Sequence, residues 1–509
     1  MSVHPALLTE DILDEIFYYC EFFGYDGMLE KKTLASLARV CTTFHEPAIR
    51  VLWRQLRALT PLFNMIPSCH LQDHNEHVNG PQGEVLSISY DENKLSDFPL
   101  HEWSRLRKYT GYVRLLYTMD YEEMKYLKLT NWPMIRRLSG GEPLLPNVRV
   151  IFWQVDESIV DGLLAFLSPS IDHLYIRCVH EQPLTAKHEL EWAARIKIWI
   201  DAITRITPRR EFTVLSFDVA QLPPSLFAIP LSLAAPNLPR ALQRVKLETD
   251  MFPIDLPSLT ALASISNVHS LQLCEPNLSW SIWSRPPQAR GGLPGSVDFP
   301  YLQDLTIHNH PVEGPITSVI SSASLRFLHI ETWEYQDNAT LRRTSRALAK
   351  AFPSLDSIGF VDPRCRTNPP PEPLALLDLL SPFFGHRVQD VSFASDTVAF
   401  TVGDDDLAAL SRAWPMLTQL AIEMAGRAAP SSDYTVGLRG LLSLATHCAS
   451  LKSLRFGRIV VLPEDVAQLP PEPPNSDLRF LWVKERLSPD DQRLISDRIF
   501  PTCVHKVLP

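Results

Sequence analysis

From residue 148 onward the apolar positions recur in one spacing: apolar, two residues, apolar, one residue, apolar. It is found at Val148-Ile151-Trp153, Ile171-Leu174-Ile176, Phe212-Leu215-Phe217 and Leu242-Val245-Leu247. It continues at Val268-Leu271-Leu273, Leu302-Leu305-Ile307, Leu325-Leu328-Ile330 and Leu355-Ile358-Phe360. The last four are Val388-Val391-Phe393, Leu417-Leu420-Ile422, Leu451-Leu454-Phe456 and Leu478-Leu481-Val483. Successive copies start 23 to 41 residues apart, and Val113-Leu116 reads as a degenerate earlier copy. The last two apolar residues of each copy are two apart, so both fall on one face of a short strand and the residue between them on the other. Between copies lie stretches with helical spacing: 189–206, 341–352, 405–414 and 438–447. Turn-forming proline introduces several copies, as at Phe299-Pro300, Phe352-Pro353 and Trp414-Pro415.

A strand and a helix repeated at this period are the signature of a leucine-rich repeat, which stacks into a curved solenoid. The asparagine common after the third apolar position is replaced by Asp156, Val179, Ala220 and Asp250, so an irregular arc is expected. Proline-rich insertions at 284–300, 364–373 and 469–475 should loop out. Residues 488–500, with Pro489 in the first turn, read as a helix closing the last repeat. If the strands line a concave face, the row between the last two apolar positions points out of it. That row carries Phe152 and Tyr175 at one end and Arg455 and Trp482 at the other. Aromatic and arginine side chains are the commonest anchors of protein interfaces, so these four are the candidate contacts for a client protein, unless insertions or the closing helix cover them.

The first sixty residues follow a different period. Leu8, Ile12, Ile16 and Cys20 recur every four residues, with Leu13 and Phe17 widening the stripe, and Thr9 precedes acidic Glu10 and Asp11 as a cap. A second stripe runs through Leu34, Leu37, Ala38 and Cys41. Pro47 suits the first turn of a third helix carrying Ile49, Leu52, Leu56 and a buried Trp53. Helices this short must pack together to be stable. The string Leu37-Ala38-Arg39-Val40-Cys41-x-x-Phe44, followed by Pro47 and then Leu52-Trp53-Arg54, resembles an F-box. The resemblance, over roughly residues 6–60, implies docking onto the Skp-type adaptor of a cullin ubiquitin ligase. Leu8, Ile12, Leu13, Ile16, Phe17, Leu34, Leu37, Val40, Cys41, Leu52 and Trp53 would form the adaptor-binding set. It also implies that the repeats hold a client while other subunits transfer ubiquitin. Thr9-Glu10 stands where that family usually has Leu-Pro, which favours an alternative: a repeat scaffold with a vestigial F-box and no ligase role.

Composition narrows the function further. A net charge of −10 and pI near 5.9 argue against a nucleic-acid platform. The eight cysteines are scattered without a Cys-x-x-Cys pair, which suits reduced, mostly buried thiols in an intracellular protein. Acidic residues stand where a signal peptide would need an apolar run, and prolines break the most apolar later stretch, so no membrane association is expected. Cys69, His70, His74 and His77 could supply four zinc ligands, but their spacing matches no standard pattern, and a solvated connector is the expected reading. Asp404-Asp405-Asp406 reads as a helix start, not as a metal site. No nucleophile elbow, phosphate loop or zinc-protease motif occurs, so neither an enzyme nor a cofactor is expected. The expected α/β organisation is a three-helix F-box module at 1–66, a linker at 67–110, an irregular leucine-rich-repeat solenoid with short parallel strands at 111–487, and a capping segment at 488–509.

Overall fold

A computed structural model describes residues 9–22, 28–65, 69–74, 85–90, 100–118, 127–129, 136, 139–155, 162–178, 198–199, 201–205, 212–218, 242–248, 256–265, 267–274, 297–308, 310–311, 320–331, 333–335, 338–361, 363–365, 374–395, 400–424, 436–472, 474, 477–485 and 487–507. The chain divides into two units, residues 1–243 and 244–509. Leu8, His77, most of the insertions at 284–300 and 364–373, and most of the stretch 189–206 lie outside the described residues.

The first unit opens with three helices, α1 (Glu10–Phe22), α2 (Met28–Leu37) and α3 (Thr42–Arg54). Leu13, Phe17, Leu34, Ala38, Ala48 and Val51 close their common core, and Phe17 meets Phe44 edge-on with ring centroids 5.5 Å apart. Helix α3 starts earlier than its proline suggests. Cys41 is the extended residue before it, and Pro47 lies inside the helix. Trp53 is half-buried instead of buried, tilted against Tyr109 at 5.0 Å.

Tyr109 belongs to a fourth helix, α4 (Leu100–Thr110), within the stretch expected to be a linker. Glu46 of α3 accepts from Lys108 Nζ at 2.9 Å and from the Tyr112 hydroxyl, and these two bonds hold its carboxyl below the usual range. Other described residues of that stretch form strands. Cys69–His74 and Val85–Tyr90 form an antiparallel pair, and Leu127–Leu129 adds to it in parallel. A polar stretch can still contain strands, although its composition alone reads as a connector.

The sheet of this unit is all parallel: β1 (Gln55–Leu56), β2 (Leu115–Tyr117), β3 (Val150–Val155), β4 (His173–Cys178) and β5 (Val214–Asp218), paired in chain order. Strand β1 grows directly from the end of α3, so the helical module and the first strands share one backbone path.

The second unit carries ten parallel strands, again in chain order: β6 (Arg244–Glu248), β7 (Ser270–Cys274), β8 (Asp304–His308), β9 (Phe327–Ile330), β10 (Ser357–Val361), β11 (Asp390–Ser395), β12 (Gln419–Met424), β13 (Ser453–Phe456), β14 (Phe480–Val483) and β15 (Val504–Val507). All twelve expected copies form strands. In every copy the first two apolar residues are at most 2% exposed. The degenerate copy near Val113 is β2, and β1 and β15 are strands the spacing did not announce. Both are short and lack the full triplet, so pairing with a neighbour, not internal pattern, makes them strands. The segment expected only to cap therefore supplies a helix, α8 (Pro489–Arg498), and the outermost strand.

Three helices show how the connecting segments cover the sheet. In α5 (Asn338–Ala351) Leu341, Ser345 and Leu348 form the buried stripe. In α6 (Asp404–Ala413) Leu407 and Leu410 do so, followed by Trp414, whose Nε1 donates to the Phe383 carbonyl at 3.2 Å. In α7 (Leu438–His447) Leu438, Leu441, Leu444 and Ala445 are buried. The acidic triplet opens α6 as expected. Asp406 accepts from the Gly403 N–H at 2.9 Å, and Asp404 accepts from the Gly437 N–H at 2.7 Å.

The thiols divide by position. Cys448, just after α7, is buried and donates to the carbonyl of Trp414 at 3.5 Å; burial pushes its pKa up to about 12. Cys41, one of the candidate adaptor contacts, is exposed. Alkylation with iodoacetamide at pH 8 should therefore modify Cys41 in the native protein and spare Cys448 until denaturant is added. Peptide mapping by mass spectrometry checks this, and native modification of Cys448 would contradict the packing described.

Candidate interaction surfaces

Strand register turns the outward residues of successive copies into continuous rows, because parallel neighbours place equivalent residues side by side. In the first unit Tyr117, Phe152, Tyr175 and Ser216 are register partners in that order. Phe152 and Tyr175 stack with centroids 4.2 Å apart and planes 5° from parallel, and Tyr117 tilts onto Phe152 at 5.1 Å. The two expected contact residues thus belong to a ladder of three rings, all half-buried. The spacing alone does not single out Tyr117, because the third position of its copy is Thr118 and not an apolar residue.

In the second unit the equivalent row runs Lys246, Gln272, Thr306, His329, Gly359, Ser392, Ala421, Arg455, Trp482 and Lys506. The Arg455 guanidinium lies over the Trp482 ring at 5.4 Å, and Lys506 Nζ is 4.7 Å from both Trp482 and Phe480. Cation–π contacts of this kind are favourable and join these side chains into one cluster. Arg455 also faces Glu423 at 3.8 Å. Arg455 and Trp482 are therefore brought together, with Phe480 and Lys506 as neighbours the sequence did not single out. Phe152–Tyr175 and Arg455–Trp482 sit in separate units.

Between His329 and Arg455 the row holds only Gly359, Ser392 and Ala421, which leaves a hollow of about 480 Å³. Asp304 and Asp390 also line it. Burial raises the Asp304 carboxyl above its ordinary value. Asp390 accepts from the Thr418 hydroxyl at 2.6 Å. Such a lining suits hydrogen bonding to a polar chain segment.

The third surface is on the helical module. Ile12 and Ile16 lie one turn apart on α1 and remain 41% and 42% exposed, with Tyr19 continuing the same side; Val40 is 64% exposed. Of the eleven residues in the expected adaptor-binding set, Ile12, Ile16, Val40 and Cys41 are exposed, and Leu37, Leu52 and Trp53 are half-buried. Leu13, Phe17 and Leu34 are core residues at 1–2% exposure, so they shape the module from within and reach no partner directly.

Neither protein-family models nor curated proteins match this chain. Among solved structures, the crystal structure of a TLR13–ssRNA13 complex aligns over 78% of this chain and 58% of that one. Identity there is 11% and the TM-score 0.31, too low to carry an argument. What stands is the fold itself: an α/β chain whose parallel strands repeat in the leucine-rich-repeat manner. No described helix is long and apolar enough to cross a membrane. Cys69, His70 and His74 fall in the strand Cys69–His74, and among the described residues no three His, Cys, Asp or Glu are grouped to hold a metal ion.

Gly359 is fixed by its neighbour. A Cβ there would overlap the His329 ring on the adjacent strand. Gly359→Ala is expected to displace that half-exposed ring toward the open hollow, with a stability change below about 1 kcal/mol because the site is not a closed core. Changed ¹H–¹³C signals of the His329 ring would show it; unchanged signals would not fit this packing.

Proposed function

We propose that the chain is a substrate-recognition subunit of a Skp–cullin–F-box ubiquitin ligase. The carrying observation is the apolar stripe Ile12–Ile16 with Tyr19 and Val40, left exposed on a helical module whose core is already complete. Exposed large apolar residues grouped this way mark a partner surface. The resemblance of the string from Leu37 to Arg54 to an F-box supports the adaptor as that partner. In this reading the strand rows hold a client protein, and the chain performs no chemistry; its contribution is proximity. It acts inside the cell without cofactor, nucleic acid or membrane.

A second reading, a repeat scaffold outside any ligase, is favoured by one specific feature: Thr9-Glu10 in place of the usual Leu-Pro.

Co-expression with the Skp-type adaptor and pull-down separates the two. Ile16→Asp should abolish stoichiometric capture with the melting temperature unchanged, because the side chain is already exposed. Leu13→Ala, a core truncation, should lower stability by about 2–5 kcal/mol. A folded wild type that captures no adaptor would overturn the ligase reading and leave the scaffold.

A further inference from the structure

Beneath the helical module the first unit holds a second site, independent of the ligase reading. A pocket of about 330 Å³ is lined by Asp14, Arg50, Val51, Arg54, Tyr112, Arg114 and Arg149. Four arginines around one pocket need a cause, and the backbone gives it. Arg54 ends α3, Arg114 precedes β2 and Arg149 precedes β3. The Arg54 carbonyl accepts from the Arg114 N–H at 2.8 Å, and the Arg114 carbonyl accepts from the Arg149 N–H at 2.8 Å. The parallel ladder thus stacks three guanidinium-bearing residues at equivalent positions of adjacent strands. Like charges opposite one another are destabilising in a sheet.

Partners for these charges are unevenly supplied. Arg50 is bound by Glu10 and by Asp14, the latter at 2.6 Å. Among the described residues Arg149 makes a loose contact with Asp172, at 3.9 Å. Arg54 lies over the Tyr18 ring at 4.4 Å, and Arg114 donates to the backbone carbonyls of Gly111 and Val113. Neither Arg54 nor Arg114 has a carboxylate partner among the described residues. Arg114 is half-buried, and burial followed by the charges of Arg149, Arg54 and Arg50 lowers its pKa. Repulsion of this kind persists in a fold when something else relieves it.

We propose that this pocket binds a phosphoryl group, with Arg54, Arg114 and Arg149 donating to its oxygens. Planar guanidinium groups match such oxygens in bidentate fashion, and three of them line this one pocket. Asp14, held on Arg50, lines the same pocket and keeps the fourth arginine neutralised, so the site is built around the three remaining cations. A bound phosphoryl group would tie α3 to the starts of β2 and β3, bracing the helical module on the sheet. The chemistry is the same for a free phosphate compound and for a phosphorylated side chain of a partner.

Calorimetric titration of the full chain with inorganic pyrophosphate tests the site, with a phosphoserine peptide as a second titrant. Wild type should bind at least one of them. Arg54→Gln with Arg114→Gln should weaken that binding by at least about tenfold, the scale of lost charge-assisted hydrogen bonds, while circular dichroism shows the fold intact. Tighter binding of pyrophosphate supports the site with a free ligand, and tighter binding of the peptide supports it with a partner side chain. No binding of either by folded wild type overturns the proposal, as does binding that the double variant leaves unchanged. Should the double variant not fold, Arg149→Gln, whose side chain is 65% exposed, is read by the same criteria.

Discussion

The outward rows of both units depend on how their parallel strands are held in register. At the start of most strands a single carbonyl accepts two N–H groups from the next. Asp356 accepts from Gln389 and Asp390, Gln389 from Thr418 and Gln419, Thr418 from Lys452 and Ser453, and Lys452 from Arg479 and Phe480. The same arrangement joins Arg114 to Arg149 and Val150, and Arg149 to Asp172 and His173. Each such carbonyl is a clamp that fixes which residue sits beside which. In a parallel pair a slip by one residue would exchange the core and surface faces along the whole strand. With two apolar residues per copy buried almost completely, that exchange would expose them, so the clamp and the core enforce one register.

This explains how much could be read from the chain alone. The spacing at Leu417-Leu420-Ile422 or Leu451-Leu454-Phe456 carries its own evidence: three buried positions, one strand, a known side for the residue between. The outward row, Phe152 through Trp482, followed from it without a structure. The helices α6 and α7 were legible for the same reason, since their buried leucines recur at three- and four-residue intervals. Where pattern was missing, the reading failed in a specific way. Gln55–Leu56 is too short to show alternation, and Val504–Val507 has no upstream leucine at the required distance. Both are strands because a neighbour offers them hydrogen bonds, a non-local cause that local spacing does not record. The antiparallel pair at 69–74 and 85–90 was hidden by polar composition. Pro47 misplaced the start of α3, since a proline tolerated inside a helix reads in sequence like one at its beginning.

The sites show the same division. Phe152 and Tyr175 were foreseen as contacts, but their stacking and the third ring, Tyr117, depend on register. Arg455 and Trp482 were foreseen singly, whereas their union with Lys506 needed the missed strand. The arginine pocket was invisible, because Arg54, Arg114 and Arg149 are far apart in the chain and share no motif. The ladder alone makes them neighbours. On the helical module, sequence periodicity located the apolar side chains and left their division between core and surface undetermined: Leu13 and Ile12 are adjacent in the chain and opposite in exposure.

The last strand, β15, has one further consequence. It is the outermost of its sheet, so one side of its backbone has no ladder partner in the sheet. Open sheet edges recruit other chains and seed fibrous aggregates unless something blocks them. Val504 is exposed there and would favour such recruitment. Lys506, drawn over Trp482 and Phe480, sets a positive charge on the same outward row of this four-residue strand. A second copy approaching edge to edge would have to strip water from that ammonium or displace it from the rings. The side chain that packs on two aromatic residues of the outward face is thus also an edge-strand lysine, a residue type that discourages edge-to-edge pairing.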